Sequence, residues 1–340
     1  MSRERCRRDL FCAVVIAGAS LSACGGGSGP AGPTPSGDLV ASGTVTDRIA
    51  GGQIDGSTIT FTGPAARSGT VTNGTYRVDG LVSGLYTVTI DGPQHVQHKT
   101  LGVGVYAAAS STFSFEVLAW GAGRFGVTYD ETFHRFFHQL ARVRSSGPSA
   151  IGKWASPPTE LYLVEGTIPS EQFELFESVL TEVNMESVSD LWCGITGGPL
   201  PIRVGPDVVG IRHGAIIVRP NWAEGSGGTV GTGVIDYGTV AMNVLGPTAN
   251  RLLTREELKG GIAHELFHVA GGFHVCGGNL GENPFGFSRF NCPYPNSLMG
   301  NIAVTTRPSS QDRLAACIIY HPVTLPGNTL PDTNPGYVPR

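Results

Sequence analysis

The segment from His264 to His274 carries side chains that could hold a metal ion and support hydrolysis. Its sequence is His264-Glu265-Leu-Phe-His268-Val-Ala-Gly271-Gly-Phe-His274. Because His264 and His268 are four residues apart, an α-helix would place both imidazoles on one face, one turn apart. This geometry suits Zn²⁺, which takes histidine nitrogens at about 2.0–2.1 Å. Glu265 lies one residue further round such a helix, where it could reach water held by the metal without being a ligand itself.

The flanking residues predict this helix and bring a third histidine to it. Thr254 followed by Glu257 has the pattern of a capping box, so a helix is expected to begin there and to run to about Ala270. Gly271 could then adopt the left-handed conformation that ends a helix and reverses the chain. This turn would let His274 approach the metal from outside the helix. Three protein ligands, with one position left for water, are typical of catalytic zinc sites.

The complete spacing resembles the H-E-x-x-H-x-x-G-x-x-H signature of the metzincin zinc peptidases. Downstream, the run from Asn296 to Gly300 looks like the Met-turn of that family. The resemblance covers about residues 159–322, and its specific motifs lie between 264 and 300. It implies His264, His268 and His274 as ligands of one catalytic Zn²⁺, Glu265 as the general base, and Met299 as the Met-turn residue beneath the site. Val275 after the third histidine and Asn301 after the Met-turn indicate a separate, bacterial branch with no tyrosine ligand.

A second histidine pair, His134 and His138, also has helical spacing. No glutamate follows His134, and phenylalanines stand at 133, 136 and 137. We therefore interpret Phe133 to Val143 as a helix that packs its aromatic side chains, and not as a metal site. The glycine-rich stretch 221–233 lacks both the G-x-G-x-x-G order and a P-loop lysine, so it is interpreted as a loop.

The elements around the motif favour an α+β catalytic unit. Apolar runs predict strands over 161–164, 202–204, 215–218 and 234–244. A helix is predicted after Pro169, with Ser170 as its N-cap. Gly260 and Gly261 are unfavourable inside a helix, so close packing against a neighbouring strand is expected there. An extended peptide substrate is expected to add to the edge of a strand before the active helix, within Val234 to Val244.

A further helix is predicted behind the site. Ser309 and Asp312 repeat the capping-box pattern, and Leu314, Cys317 and Ile318 follow as an apolar stripe at helical spacing. A C-terminal helix in this place also agrees with the metzincin resemblance.

The N-terminus predicts export and attachment to a membrane by lipid. Four arginines precede an uncharged stretch from Leu10 to Ala23, which is too short for a membrane span and suits a signal peptide. The ending Leu21-Ser22-Ala23-Cys24 resembles a bacterial lipobox, which implies cleavage before Cys24 and lipidation of that cysteine. An ordinary secretory signal is the alternative. The glycine- and proline-rich residues that follow predict a flexible tether. Gly25 favours the outer membrane or the cell surface.

Four cysteines remain after removal of the signal peptide and lipidation of Cys24. Cys193, Cys276, Cys292 and Cys317 suggest two disulfides in an exported domain, with three possible connectivities. Cys276 and Cys292 are close in sequence, so we favour that pair, which leaves Cys193 with Cys317.

The residues from about 39 to 118 read as an all-β region. Tyr76 and Val78 alternate with polar residues, as do Tyr86, Val88 and Ile90, and Asn73-Gly74 is a strong hairpin turn signal. The runs from Gly43, from Asn73 and from Gly80 resemble the carboxypeptidase regulatory-like, transthyretin-like β-sandwich. The resemblance implies a spacer or binding module without chemistry of its own.

The predicted organisation has five parts. These are a lipoprotein signal peptide (1–23), a linker rich in Gly, Pro and Ser (24–38), a β-sandwich (39–118), a connector with a helix (119–158) and a metzincin-like zinc peptidase domain of α+β class (159–340). The 340 residues are 40% hydrophobic and 15% charged, which supports folded cores, and the net charge of −4 gives no basic surface for nucleic acid.

These features predict a zinc-dependent metalloendopeptidase that acts on peptides or proteins and contacts the membrane only through its N-terminal lipid. The alternative is a surface-anchored binding or adhesion lipoprotein with a structural or inactive zinc domain. The intact ligand set with Glu265 favours the enzyme, because a degenerate site tends to lose the glutamate.

Overall fold

Seven strands in the first third of the chain form two sheets around one core. The computed structural model describes residues 37–107, 111–141, 153–207, 212–222, 227–229, 234–246, 251–275, 294, 296–300 and 305–321. The strands are β1 (Leu39–Asp47), β2 (Thr58–Thr62), β3 (Arg67–Thr70), β4 (Thr75–Leu81), β5 (Gly84–Asp91), β6 (His98–Val105) and β7 (Phe115–Val117). One sheet has the order β4-β1-β7 and the other the order β3-β2-β5-β6.

The alternation predicted for these strands is confirmed. Tyr76 and Val78 on β4, and Tyr86, Val88 and Ile90 on β5, are buried in a shared hydrophobic core. The residues between them face outward, since successive side chains of a strand point to opposite sides.

The hairpin turn at Asn73-Gly74 is also as predicted. Asn73 has φ 49° and Gly74 has φ 70°, so both lie in the left-handed region that a type I′ turn requires.

The second part of the chain has a five-stranded sheet at its centre. The remaining strands are β8 (Gly123–Arg124), β9 (Val127–Thr128), β10 (Lys153–Trp154), β11 (Glu160–Val164), β12 (Ile202–Gly205), β13 (Ala215–Asn221), β14 (Gly227–Thr229), β15 (Val234–Ile235) and β16 (Gly238–Asn243). The large sheet has the order β12-β11-β13-β16-β14, in which only β14 runs antiparallel to its neighbour. The whole described chain is therefore a mixed α+β structure with several sheets and few helices.

The predicted strand over 234–244 is two strands that belong to different sheets. Its first part, β15, pairs with β10, whereas β16 lies between β13 and β14. The stretch interpreted as a loop, 221–233, contains β14, so that interpretation was wrong for Gly227–Thr229.

The helices contribute buried side chains to the hydrophobic core of the second part of the chain. They are α1 (Glu131–Leu140), α2 (Ser170–Val183), α3 (Ser189–Leu191), α4 (Arg255–Val269) and α5 (Ser310–Ile319), with a π-helical stretch, Asn184–Val188, between α2 and α3. Both predicted capping boxes are present, at Thr254 with Glu257 and at Ser309 with Asp312. The N-cap of α2 is Pro169, one residue before the predicted Ser170. Among the described residues, no helix combines the length and apolar character needed to cross a membrane.

The predicted connector belongs to the same hydrophobic core as the histidine motif. Phe133, Phe136, Phe137 and Leu140 of α1 are buried with residues of α4 and α5. The described residues of the connector, 119–141 and 153–158, therefore contribute to the core of the second part directly.

A disulfide joins two described residues in this part of the molecule. It joins Cys193, just after α3, to Cys317 on α5, with the Cα atoms 4.8 Å apart. The sequence analysis predicted this pair together with Cys276–Cys292, so the first of the two predicted disulfides is confirmed. Cys24, Cys276 and Cys292 lie outside the described residues, as do the signal peptide and most of the linker.

Candidate metal centre

Helix α4 carries two of the candidate ligands, and the turn at its C-terminus leads the chain to the third. The helix ends at Val269 with Ala270 as its C-cap, and Gly271 follows with φ 98°, as predicted. The N–H of Gly271 donates to the carbonyl of His268, and the N–H of Gly272 donates to that of Phe267. These bonds satisfy carbonyl groups that a helix end leaves open and turn the chain back towards α4.

The three histidines meet at one point through the same ring atom. The Nε2 atom of His274 lies 3.0 Å from Nε2 of His264 and 3.2 Å from Nε2 of His268. Their ligand atoms all lie within 4.8 Å of one another. Among the described residues, these three histidines are the one group of three or more potential ligands that is close enough to share an ion.

The other ring nitrogen of each helical histidine faces a backbone carbonyl. Nδ1 of His264 lies 2.5 Å from the oxygen of Leu298, and Nδ1 of His268 lies 2.9 Å from the oxygen of Gly272. A carbonyl oxygen can only accept, so each Nδ1 carries the proton and donates. The neutral ring then presents an unprotonated Nε2, with its lone pair towards the common point.

Burial keeps these imidazoles in the neutral form. It lowers the pKa of His264 to about 4 and that of His268 to about 3, and it also lowers the pKa of His274. The cause is the loss of water around the charged imidazolium, which disfavours the protonated state. At neutral pH the site therefore offers lone pairs and excludes the proton that would compete with a cation.

His274 is placed by backbone bonds on both sides. The N–H of Phe273 donates to the carbonyl of Leu140 at the end of α1, at 2.8 Å. The N–H of Val275 donates to the carbonyl of Met299, at 2.9 Å. Two segments that are distant in sequence thus fix the backbone on both sides of the third histidine.

The residues present fit a zinc ion. Tetrahedral ligands at about 2.0–2.1 Å from Zn²⁺ would lie about 3.3–3.4 Å apart, close to the Nε2 separations of 3.0 and 3.2 Å. Three neutral imidazoles are a donor set that Zn²⁺ accepts in catalytic sites, and carbonyl partners on the far ring nitrogen are the usual support. The lone pairs of His264 and His268 face this point together with Nε2 of His274, and a cation is the partner that three neutral imidazoles can share there.

Glu265 lies in the same turn of α4 as the ligands. A helix advances about 100° per residue, so Glu265 is about 100° from His264 and about 60° from His268. Its exposed fraction is 8%. The carboxylate therefore belongs to the half of the helix that carries the imidazoles, in largely dehydrated surroundings.

Met299 lies beside the ligands in a tight turn. The N–H of Gly300 donates to the carbonyl of Ser297, and Met299 and Leu298 are fully buried. The turn is tied to helix α5 by Asp312, whose carboxylate accepts from Ser297 Oγ at 2.6 Å and from the Leu298 N–H at 2.9 Å. Burial raises the pKa of the Asp312 carboxyl, and its hydrogen bonds oppose that rise.

Sequence reasoning missed the partners that orient the site. The three histidine ligands were predicted from the sequence. Their contacts with the carbonyls of Leu298, Gly272 and Leu140 were not, and Asp312 was predicted only as part of a capping box. A backbone carbonyl carries no side-chain signal, so only the position of Asp312 in its capping box could have drawn attention to it.

Of the second histidine pair, the described side chain of His134 lies apart from the centre. His134 is 4% exposed, and its Nδ1 lies 2.8 Å from the hydroxyl of Tyr129 in the aromatic packing of α1.

Comparisons with known proteins add little. No protein-family profile and no curated protein matches this chain. Two interface mutants of a type II cohesin–X-dockerin complex from Acetivibrio cellulolyticus are similar to part of it. One is 17% identical with a TM-score of 0.21, covering 27% of this chain and 64% of that chain. The other is 16% identical with a TM-score of 0.22, covering 32% and 78%.

A candidate carbohydrate-binding protein from Bacteroides uniformis is similar to a comparable extent. It is 18% identical with a TM-score of 0.22, covering 24% of this chain and 42% of that chain. The chain thus spans less than two thirds of the first and the third of these proteins. TM-scores this low establish no shared fold.

Proposed function

We propose that this protein is a zinc-dependent metalloendopeptidase of metzincin type. The observation that carries the proposal is the convergence of the Nε2 atoms of His264, His268 and His274, with Glu265 in the same helical turn. A structural zinc site normally has four protein ligands, whereas three ligands leave a position open for chemistry.

The residues divide the work of hydrolysis. Zinc, when bound, supplies a Lewis acid that activates water and polarises the scissile carbonyl. His264, His268 and His274 would hold it as neutral ligands. The Glu265 carboxylate takes a proton from the attacking water and delivers it to the nitrogen of the leaving amine. Its burial beside the ligands keeps bulk water from competing for that proton.

The sheet order bears on which strand could receive an extended substrate. Within Val234 to Val244, β16 is paired on both sides by β13 and β14 and offers no edge. Among the described strands of this sheet, the edge next to β16 is β14 (Gly227–Thr229), which also lies against α4. We propose that an extended peptide adds to the edge of β14, where unpaired backbone groups can bond a new strand.

The proposal includes export and anchoring. The lipobox-like ending at Cys24 supports a bacterial lipoprotein held at the outer membrane or the cell surface, with the first β-sandwich as a carboxypeptidase regulatory-like spacer. The disulfide between Cys193 and Cys317 supports an oxidising compartment.

The test is to measure metal content and peptidase activity together on the wild type and Glu265→Gln. We expect about one zinc per chain in both proteins, because Glu265 is not a ligand. Turnover of peptides should fall by at least about 100-fold in the variant, because the general base is lost. Glu256→Gln is the matched control, with the same substitution in an exposed position of the same helix.

Three results would contradict the proposal in different ways. Folded wild-type protein without zinc would remove the metal centre. Full activity of Glu265→Gln would remove the proposed base. Zinc without cleavage across a broad peptide library would favour the binding role, or a zinc hydrolase for other substrates if acylated or glycosidic compounds are cleaved.

A further inference from the structure

The carboxylate of Asp312 is buried between helix α5 and the turn that carries Met299. Asp312 is 0% exposed. Its four hydrogen-bond donors are Ser297 Oγ at 2.6 Å, the Leu298 N–H at 2.9 Å, the Ser309 N–H at 2.9 Å and Ser309 Oγ at 2.8 Å. A carboxylate at this depth is stable only when it is bonded in this way. Two of these donors belong to Ser309, the N-cap of α5, and the other two belong to the turn.

A cap alone does not require this arrangement. The equivalent glutamate in the capping box of α4, Glu257, has a side chain that is 41% exposed and pairs with Arg251. It bonds to its own helix terminus and to an exposed arginine. Asp312 performs the same capping task and, in addition, binds a second segment of the chain.

This second segment, residues 297–299, contacts one candidate ligand directly and the residue next to another. Leu298, whose N–H donates to Asp312, accepts from Nδ1 of His264 through its carbonyl, at 2.5 Å. The N–H of Met299 donates to Ser297 Oγ at 3.1 Å, and that hydroxyl donates to Asp312. The carbonyl of Met299 then accepts from the N–H of Val275, next to His274.

We propose that Asp312 is a positioning residue for the metal centre, acting on His264 and His274 through the backbone of residues 297–299. The inference rests on the proposed function. By fixing the Leu298 and Met299 peptides, Asp312 sets the direction of one imidazole and the location of another. Partners of this kind hold ligands within a few tenths of an ångström of the geometry that a metal requires.

The experiment compares four variants of the purified full chain with the wild type. Asp312→Ala removes the capping bonds and the bonds to the turn. Asp312→Asn retains an oxygen that can accept from Leu298 and Ser309. Ser297→Ala removes a contact to the turn and leaves the cap, whereas Ser309→Ala weakens the cap and leaves the turn bonded. The readouts are the zinc dissociation constant, the visible d–d spectrum of the Co²⁺-substituted protein and the unfolding midpoint.

We expect Asp312→Ala to weaken zinc binding by about 10–100-fold and to change the Co²⁺ spectrum, because the ligands lose their support. Asp312→Asn should restore most of the affinity. Ser309→Ala should lower the unfolding midpoint as a lost cap does, yet leave zinc affinity within about threefold of the wild type.

Equal zinc affinity and equal Co²⁺ spectra in Asp312→Ala and Ser309→Ala would overturn the inference and leave the proposed function standing. If Asp312→Ala does not fold, the comparison of Ser297→Ala with Ser309→Ala decides. A changed spectrum with weaker binding only in Ser297→Ala supports positioning, and identical behaviour of the two overturns it. Absence of zinc binding by the wild type would overturn both proposals.

Discussion

At the scale of single residues, Gly261 of helix α4 packs against the end of the Met242 side chain on the sheet. A Cβ atom at this position would collide with the end of the Met242 side chain on β16. Met242 is 5% exposed, so its thioether has little room to move away. The contact expected from the sequence is therefore present at Gly261, where glycine costs a helix about 1 kcal/mol relative to alanine.

Gly261→Ala should destabilise the protein by about 1 kcal/mol net. Overpacking against Met242 costs about 1–3 kcal/mol, and the better helix propensity of alanine returns about 1 kcal/mol. Urea unfolding would measure the change.

The same substitution in a Met242→Ala background should have the opposite sign, because the colliding atoms are gone. If Gly261→Ala destabilises both backgrounds equally, packing against Met242 is not the reason for the glycine.

At the scale of elements, α4 is held in place at both ends and along its side. Lys259 is buried, with a side chain that is 6% exposed, and it forms ion pairs with Glu182 on α2 and Glu186 in the π-helical stretch. The capping box at Thr254 fixes the N-terminus of α4, and the turn at Gly271 fixes its C-terminus. The helix that carries the metal ligands is thus anchored to α2 independently of any bound ion.

The capping box predicts a specific dependence on pH. The Arg251 guanidinium, followed by the amide and hydroxyl of Thr254, lowers the pKa of Glu257 to about 2. An unfolded glutamate titrates near about 4.3, so the folded pKa is depressed. The stabilisation by Glu257 is therefore present above about pH 4.5 and is lost as the pH falls towards 2.

We expect Glu257→Gln to lower the unfolding midpoint at pH 6 and to approach the wild type as the pH falls below 4. Denaturant unfolding over pH 2.5–6 measures this difference. Glu256→Gln, which removes a charge from the same first turn, should show a smaller and flatter difference. A constant gap between wild type and Glu257→Gln at all pH values would contradict the assigned pKa shift.

At the scale of the whole molecule, the second core is closed by contacts between segments far apart in sequence. Helix α1 supports the approach to His274 through the Leu140 carbonyl, although it precedes that histidine by more than a hundred residues. The disulfide between Cys193 and Cys317 closes a separation of 124 residues and ties α5 to the end of α3. Helix α5, in turn, holds the Met299 turn through Asp312.

Removing this disulfide should destabilise the protein by about 2–5 kcal/mol, because the long loop gains freedom mainly in the unfolded chain. We expect this loss in Cys193→Ala/Cys317→Ala, measured by urea unfolding without reductant. Adding reductant to the double variant should then change stability only through the pair expected between Cys276 and Cys292. An unchanged midpoint in the double variant would contradict a stabilising role for the disulfide.

The local features of this protein could be predicted from its sequence alone. The four-residue spacing of His264 and His268 defines one face of a helix, and both capping boxes act within a single turn. Alternation on β4 and β5 and the turn at Asn73 likewise depend on neighbours in the chain. These features could be predicted because the interactions that create them join residues only a few positions apart.

The support of the site and the edge strand next to β16 depend on contacts that form only when the chain folds. The carbonyls of Leu140 and Leu298 reach the histidines across long separations, and backbone groups leave no pattern in the sequence. Strand β14 consists of two glycines and a threonine, so no apolar alternation marks it, and pairing with β16 alone defines it. Asp312 shows the same limit, because the sequence revealed its bonds within α5 but not those to a turn that folding brings beside it.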